Sequence, residues 1–340
     1  MGTGNGRAVS PPAAAGSRKP GTGPLAGVRP DNWHEELVTW ADGLGWLRGL
    51  SDWLTGVLGP FRERYQDNLA LELLHGGRWA GHPVHPALSD LPIGLWTSAL
   101  LLDLTGSDEP RRRGLDAAGT LSAAGLVAAS ATALTGLGDW TVSNEPDRRI
   151  GLLHGLLNTA AVGLQAASLG TRLAGRRGAT VALGAASLGV TAAAAYLGGH
   201  LVFSRGVMVS RVAWAAGPRK WTRAIADAEL PDDVPTGVEA EGRQVLLYRH
   251  DGQLHALDNV CSHAGGLLSR GTAAGLVVTC PLHGSRFGLE DGCVRRGPAS
   301  QPQPVLRSRV RGGWIEVRGP QAAPRRAGSK ERKSTREAGT

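Results

Sequence analysis

The chain has 340 residues and a formal net charge of +8, from 37 Lys and Arg against 29 Asp and Glu. The excess lies at the two ends, where residues 1–30 carry four basic residues and no acid and residues 320–340 carry six basic residues against two acids. A nucleic-acid-binding domain carries its basic patch on the folded part, so the net charge is weak evidence for nucleic-acid binding and we expect no nucleic acid partner. Three cysteines exclude a small secreted scaffold built on disulfides.

The first 75 residues contain two different segments. Residues 1–30 are rich in Gly, Pro, Ala and Ser and are predicted to be a disordered tail, as is the basic segment 320–340. Residues 31–75 are predicted to form amphipathic helices, because Leu and Trp recur there at steps of three or four residues. These helices either lie on a membrane surface with Trp side chains as anchors or pack on another domain.

Residues 76–205 are predicted to form a transmembrane four-helix bundle. The segment contains four apolar stretches, Pro86–Thr105, Leu115–Leu137, Ile150–Leu169 and Ala179–Phe203. Each provides about 20 residues, which is enough to cross the roughly 30 Å hydrocarbon core of a bilayer. We therefore expect a multi-pass protein of the cell membrane that contacts the lipid bilayer; a buried helical bundle in a soluble protein is the alternative.

Residues 215–319 change to short alternating runs separated by turn signals. Val245–Arg249 and Leu254–Leu257 flank an Asp251-Gly252 pair, which suits the positive φ angles of a type I′ hairpin turn. The predicted architecture is thus multidomain, with an α-helical transmembrane four-helix bundle followed by an all-β domain.

The β domain contains the residues with the clearest chemistry. Cys261-Ser262-His263 is followed, after 16 residues, by Cys280-Pro281-Leu282-His283. Thiolates and imidazoles ligate zinc or iron, so two loops with one Cys and one His each predict a four-ligand metal site. On residue types alone, zinc and an iron–sulfur cluster both remain open. Cys293 lies outside both pairs and is predicted to be a buried apolar residue.

The mixed C-x-H and C-x-x-H spacing, together with the later Gly297-Pro298, resembles the Rieske [2Fe–2S] family across residues 215–319. The resemblance implies that Cys261 and Cys280 bind one iron of a [2Fe–2S] cluster and that His263 and His283 bind the other.

The resemblance also indicates the type of Rieske domain. Gly266 and Leu282 occupy the places where respiratory members carry two further cysteines, which implies the ferredoxin type. The segment Gly297–Pro304 corresponds to a loop that covers the cluster in the family.

The membrane half has a second distinctive segment. Leu74–Pro86, with an H-P-x-H-P sequence at residues 82–86, resembles an uncharacterised bacterial four-helix membrane family. Up-and-down helices would place five polar residues at the end nearest the β domain: His82, His85, Asp139, His154 and His200. Ionisable groups at membrane depth are candidates for function. They either clamp the helices, hold haem b or another metal through two of His85, His154 and His200, or bind a quinone head group.

The expected function is one-electron transfer by a membrane-anchored iron–sulfur protein, with a reductase or an acceptor protein as redox partner. A quinone- or haem-linked membrane oxidoreductase subunit and a redox sensor are the alternatives, and no catalytic residue is predicted. A Rieske oxygenase catalytic subunit is disfavoured, because it needs a mononuclear iron held by two His and a carboxylate and no His follows His283. An N-terminal segment without an export signal predicts that the β domain is cytoplasmic.

Overall fold

The computed structural model describes residues 33–64, 69–106, 116–214 and 217–320. It divides the chain into two compact units, Met1–Gly43 and Leu44–Thr340. The first unit contributes helix α1 (Trp33–Asp42). The tail predicted at residues 1–30 lies outside the described residues, and so does the tail predicted at 320–340 apart from Pro320.

The second unit begins with α2 (Gly45–Arg64), α3 (Leu69–His75) and the single-turn α4 (Gly77–Ala80). The leucine stripe of α2 packs on the bundle, where Leu47 is fully buried against Trp140 and Leu152. For α2 the structure therefore supports the second alternative, a helix packed on another domain. Trp46 and Trp53 on the same helix are exposed, and an interfacial role for them stays a prediction.

Four long helices follow: α5 (His85–Thr105), α6 (Ala117–Thr141), α7 (Asp147–Leu173) and α8 (Arg177–Gly199). The last continues as a π-helical turn over His200–Ser204. All four are long and apolar enough to cross a membrane, so the predicted apolar stretches are confirmed as helices. Helix α5 packs mainly on α6, and α7 packs mainly on α8, which makes the bundle a pair of hairpins.

A buried ion-pair cluster joins the two hairpins at the end far from the β domain. Arg172 pairs with Asp103, and its Nη1 also donates to Asp116 Oδ1 at 3.1 Å. Arg177 Nη2 donates to the carbonyl oxygens of Asp103 and Gly106. Since a buried charge is tolerated when it is paired, this cluster fixes the α7–α8 turn against both ends of the α5–α6 connection.

The C-terminal part is an all-β domain, as predicted. Its strands are β1 (Thr222–Ala226), β2 (Thr236–Ala240), β3 (Arg243–His250), β4 (Gln253–Asp258), β5 (Thr272–Ala274), β6 (Val277–Thr279), β7 (Arg286–Gly288), β8 (Val294–Arg296), β9 (Leu306–Arg311) and β10 (Trp314–Pro320). They form three antiparallel sheets with the orders β1-β10-β9, β2-β3-β4 and β5-β6-β7-β8.

The β3–β4 hairpin has the turn that the sequence predicts. Asp251 and Gly252 have φ angles of 47° and 73°, and both signs are those of a type I′ turn. Leu246 on β3 and Leu257 on β4 are fully buried in a core cluster that also contains Cys261 and Cys280. The central hairpin therefore supports the loops that carry the two cysteines.

Candidate metal centre

The two cysteines lie in loops that fold in the same way. Cys261 follows β4, and Cys280 follows β6. The two loops have equivalent backbone hydrogen bonds. In the first, Cys261 N donates to Gly266 O at 2.8 Å, and Cys261 O accepts Gly265 N at 3.0 Å. In the second, Cys280 N donates to Ser285 O at 2.8 Å, and Cys280 O accepts Gly284 N at 3.1 Å. Gly265 and Gly284 have φ angles of 80° and 74°, which glycine adopts at little cost. Each loop is thus a tight turn that a glycine closes.

The thiols of Cys261 and Cys280 are buried and hydrogen-bonded to each other. This bond lowers the pKa of the Cys280 thiol to about 6, and the same bond, with burial, raises the pKa of Cys261. Each sulfur also accepts two backbone N–H groups, those of His263 and Ala264 at Cys261 and those of Leu282 and His283 at Cys280. Such donors stabilise the thiolate, the form that binds metal.

The imidazoles of His263 and His283 form the second pair. Their ring centres are 5.0 Å apart, with an interplanar angle of 82°. Two imidazoles that share one tetrahedral metal, each with nitrogen about 2 Å from it, have centres roughly 5 Å apart. Burial, and after it charge repulsion from the nearby His283, His75 and Arg211, lowers the pKa of His263 to about 3. The ring is therefore neutral, as a metal ligand must be.

The donors fit a [2Fe–2S] cluster. They lie as a thiol pair and an imidazole pair, the division that a cluster with two Cys on one iron and two His on the other requires. Within the described ranges, no three His, Cys, Asp or Glu side chains form a group that could hold a single metal ion.

Gly266 and Leu282 face each other across the two loops. A Cβ built on Gly266 would lie 3.0 Å from Leu282 Cβ and 3.1 Å from Cys280 Sγ. Disulfide-linked residues have Cβ atoms about 3.8 Å apart, so these positions are placed as a bridged pair would be, but Gly and Leu cannot form the bond. The side chain of Leu282 is 46% exposed beside the site.

The proline-rich segment 297–304 contacts both ligand loops. Ala299 N donates to Ser285 Oγ at 3.0 Å, and Ser262 Oγ donates to Gln301 O at 2.8 Å. The segment therefore holds the two loops together, and the covering role that the resemblance implies stays a prediction.

Gln303 is a structural residue of the site that sequence reasoning missed. Its Oε1 accepts Ser262 N at 3.1 Å, and its Nε2 donates to the carbonyl oxygens of Asp258 and Val260. The side chain is 2% exposed. A glutamine flanked by prolines gives no sequence signal of burial, because its partners lie about forty residues away in the chain.

Cys293 is exposed, so the prediction of a buried residue is wrong. It lies between β7 and β8, in a turn where its N–H donates to Asp291 Oδ1 at 3.0 Å. The turn carries the side chain to the surface.

The structure brings two of the five predicted membrane-site residues together. The rings of His85 and His154 have centres 6.2 Å apart, at an interplanar angle of 89°. His82 is exposed and bonds the neighbouring Pro83 O, and His200 Nε2 accepts Arg205 Nε at 3.3 Å. Of the five predicted residues, His85 and His154 are thus the two whose side chains contact each other.

Asp139 is bonded to a residue that the sequence prediction did not select. His75 Nδ1 lies 2.9 Å from Asp139 Oδ1, and the two side chains are 10% and 12% exposed. The signal was available, because His75 lies in the Leu74–Pro86 segment that carries the family resemblance.

Hydrogen bonds join the metal centre to the segments that flank the bundle. Gln301 Nε2 donates to Gly81 O at 2.6 Å, and Arg211 N donates to Ser262 O at 2.9 Å. A Cβ on Gly77 would lie 2.7 Å from Ala299 O, which indicates a close approach of backbones. The ligand loops therefore lie against α4, the glycine that follows it and the segment after α8.

Two family models match separate parts of the chain. Residues 220–308 match the Rieske [2Fe–2S] domain, and residues 81–211 match a family described as "Predicted membrane protein (DUF2231)". The first match covers strands β1–β8 with both ligand loops, and the second covers helices α5–α8.

Individual relatives agree with the first match. The ferredoxin component of the naphthalene 1,2-dioxygenase system of Pseudomonas aeruginosa is 37% identical over 82 residues, which are 24% of this chain and 79% of the relative. The ferredoxin of carbazole 1,9a-dioxygenase from Nocardioides aromaticivorans IC177 is 30% identical, with a TM-score of 0.29, over 30% of this chain and 99% of that one.

A third relative is the oxygenase component of 3-ketosteroid-9-alpha-monooxygenase of Mycobacterium tuberculosis, which is 39% identical over 85 residues but matched over 22% of its own length. Together with the domain match, the Pseudomonas aeruginosa relative, 37% identical and covered over 79% of its length, shows that the chain belongs to the Rieske [2Fe–2S] domain family.

Proposed function

We propose that this protein is a membrane-anchored electron carrier whose [2Fe–2S] cluster is held by Cys261, Cys280, His263 and His283. The observation that carries the proposal is the pairing of the donors, with hydrogen-bonded thiols on one side and imidazoles 5.0 Å apart on the other. A bound [2Fe–2S] cluster supplies reversible one-electron oxidation and reduction.

The surrounding residues have defined tasks in this proposal. The backbone N–H groups aimed at Cys261 and Cys280 stabilise negative charge on sulfur. Ser262, Ser285 and Gln303 fix the two loops, so that the ligand positions change little between oxidation states.

The proposed partners are redox proteins, a reductase that supplies electrons and an acceptor that takes them. Support comes from the relatives, which are ferredoxin components of dioxygenase systems. Leu282 lies two residues after Cys280 and is exposed, so it offers an apolar contact beside the site. Transient electron-transfer partners need a small interface of this kind.

We propose that α5–α8 anchor the protein in the membrane, with the β domain in the cytoplasm. Large apolar side chains on the bundle are exposed, including Leu104 at 59% and Val127 at 73%, which suits contact with lipid. The arginines that flank the spans divide almost evenly between the two ends of the bundle, so the positive-inside tendency leaves the orientation to experiment. Protease digestion of inverted vesicles should cleave the β domain, whereas protection there would reverse the orientation.

The ligand assignment is tested with Cys261→Ser in the full chain. Loss of one thiolate ligand should abolish the electron paramagnetic resonance (EPR) signal of the reduced cluster and its visible absorption. The matched control is Cys293→Ser, which removes the exposed thiol outside both ligand pairs and should keep both signals. A Cys261→Ser protein with the full signal would overturn the assignment.

A further inference from the structure

The two hairpins of the bundle each contribute one imidazole to a shared contact. His85 is the first residue of α5, in the first hairpin, and His154 lies near the start of α7, in the second. Their ring centres are 6.2 Å apart and the planes are nearly perpendicular. The contact therefore lies at the interface between the hairpins, near the end that carries the β domain.

Each ring is oriented by a carbonyl oxygen from the other helix of its own hairpin. His85 Nδ1 lies 3.0 Å from Thr132 O on α6, and His154 Nδ1 lies 2.8 Å from Ala194 O on α8. Since a carbonyl can only accept, both Nδ1 atoms carry the proton, and in the neutral ring both Nε2 atoms keep a lone pair. Histidines that ligate metals are held in this way by their second nitrogen.

Glycines make room for both rings. A Cβ built on Gly136 would lie 2.7 Å from His85 Cε1, and one built on Gly198 would lie 3.1 Å from His154 Cε1. A larger residue at either position would push the imidazole out of place. Asn158 Nδ2 lies 3.2 Å from His154 Nε2, so a ligated metal would displace this amide, which also donates to His154 O.

We propose that His85 and His154 are the axial ligands of a haem in the bundle. Two imidazoles on opposite sides of one metal, each about 2 Å from it, have centres roughly 6 Å apart, against roughly 5 Å for a tetrahedral pair such as His263 and His283. A bare zinc ion takes four ligands from its surroundings, whereas a haem supplies four nitrogens itself and takes its axial ligands from the protein. A pair of imidazoles is therefore sufficient for haem.

The last turns of α6 connect this pair to the metal centre of the β domain. Gly136 contacts His85, and Asp139, three residues later, bonds His75, which ends the helix before the segment whose Gly81 O accepts Gln301 Nε2. Three residues of helix advance about 5 Å, so the two sites are neighbours along α6. One electron would pass between them, as the iron pair goes from mixed-valent to diferric and haem iron goes from ferric to ferrous, with no bond made or broken. This electron transfer rests on the proposed function, whereas the haem site itself does not.

The test is haem content of the full chain, purified in detergent from haem-replete cells. Wild-type protein should show a Soret band and about one haem per chain by the pyridine haemochrome assay. His85→Ala and His154→Ala should each lower haem content at least tenfold and keep the cluster's EPR signal, which reports that the chain is folded. His82→Ala and His200→Ala are the matched controls, because these histidines lie outside the pair, and they should keep the haem.

Wild-type protein that contains the cluster but no haem would overturn the inference and leave His85 and His154 as a polar clamp between the hairpins. Haem content that stays at the wild-type level in both Ala variants would also overturn the inference. If the Ala variants do not accumulate, His154→Met should shift the Soret band of the bound haem, and an unchanged spectrum would count against ligation. Haem without a cluster would instead refute the proposed function and leave the haem site intact.

Discussion

His75 Nδ1 lies 2.9 Å from Asp139 Oδ1, which ties the last residue of α3 to the C-terminal end of α6. The pair is nearly buried and lies close enough to His263 for its charge to be felt there. A short polar contact thus joins the helical part of the chain to the surroundings of the metal centre.

We expect His75→Leu to loosen this junction. The change leaves the buried Asp139 without its partner, at a cost of about 1–3 kcal/mol. Backbone amides near Gly81 and Gln301 should exchange hydrogen faster, since their contact depends on the same segment. The control is His82→Leu, whose ring bonds only its neighbour Pro83 in the part of the chain that the structure describes. Equal protection in both variants would contradict the expected role of His75.

Gln303→Leu should destabilise the metal centre. The substitution leaves Ser262 N–H and two carbonyl oxygens of the first ligand loop without their side-chain partner, which costs about 2–3 kcal/mol. The visible circular dichroism of the cluster should therefore be lost at a lower temperature. Gln253→Leu, at an exposed position on β4, should leave that temperature unchanged. If both variants melt together with the wild type, Gln303 does not hold the loop.

The β domain should lose part of its stability above neutral pH through one ion pair. Asp233 accepts a hydrogen bond from His250 Nδ1 at 2.5 Å, which raises the pKa of His250 and lowers the pKa of Asp233. The stabilisation from His250 is fully present below the pKa that His250 has in the unfolded chain, and it is lost as pH rises through the pKa that His250 has in the folded protein. The stabilisation from Asp233 is fully present above the pKa that Asp233 has in the unfolded chain, and it is lost as pH falls through the pKa that Asp233 has in the folded protein. The pair therefore stabilises the domain most between about pH 4 and pH 6.5.

Asp233→Asn tests this pH dependence, because Asn tolerates the φ of 59° and keeps an acceptor for Tyr248. The wild type should exceed the variant in thermal midpoint within that window, and the difference should shrink as pH rises through the raised pKa of His250 in the folded protein. Asp232→Asn, which removes a partner of Arg249 instead, should show no such profile. A difference that is constant from acid to alkaline pH would exclude the titration of His250 as its cause.

Local patterns predicted the parts of the fold that depend on neighbours in sequence. Asp251-Gly252 predicts its turn because the φ preference belongs to those two residues. The four bundle helices follow from uninterrupted apolar length, and the spacing of Cys261, His263, Cys280 and His283 indicates a metal site because turn geometry brings each Cys close to its His.

The missed features depend on contacts between distant segments. His75 gains its role from Asp139, 64 residues away, and Gln303 gains its role from loops about forty residues earlier. The leucine stripe of α2 satisfied two interpretations equally, because an apolar helix face looks the same in sequence whether lipid or Trp140 covers it.

The [2Fe–2S] cluster itself is tested by the iron, zinc and acid-labile sulfide content of the full chain, purified without oxygen and measured beside its EPR spectrum after reduction. We expect two irons and two sulfides from the cluster per chain, with any haem iron counted separately, and a Rieske-type signal from the reduced protein. One zinc per chain with no labile sulfide would contradict this expectation.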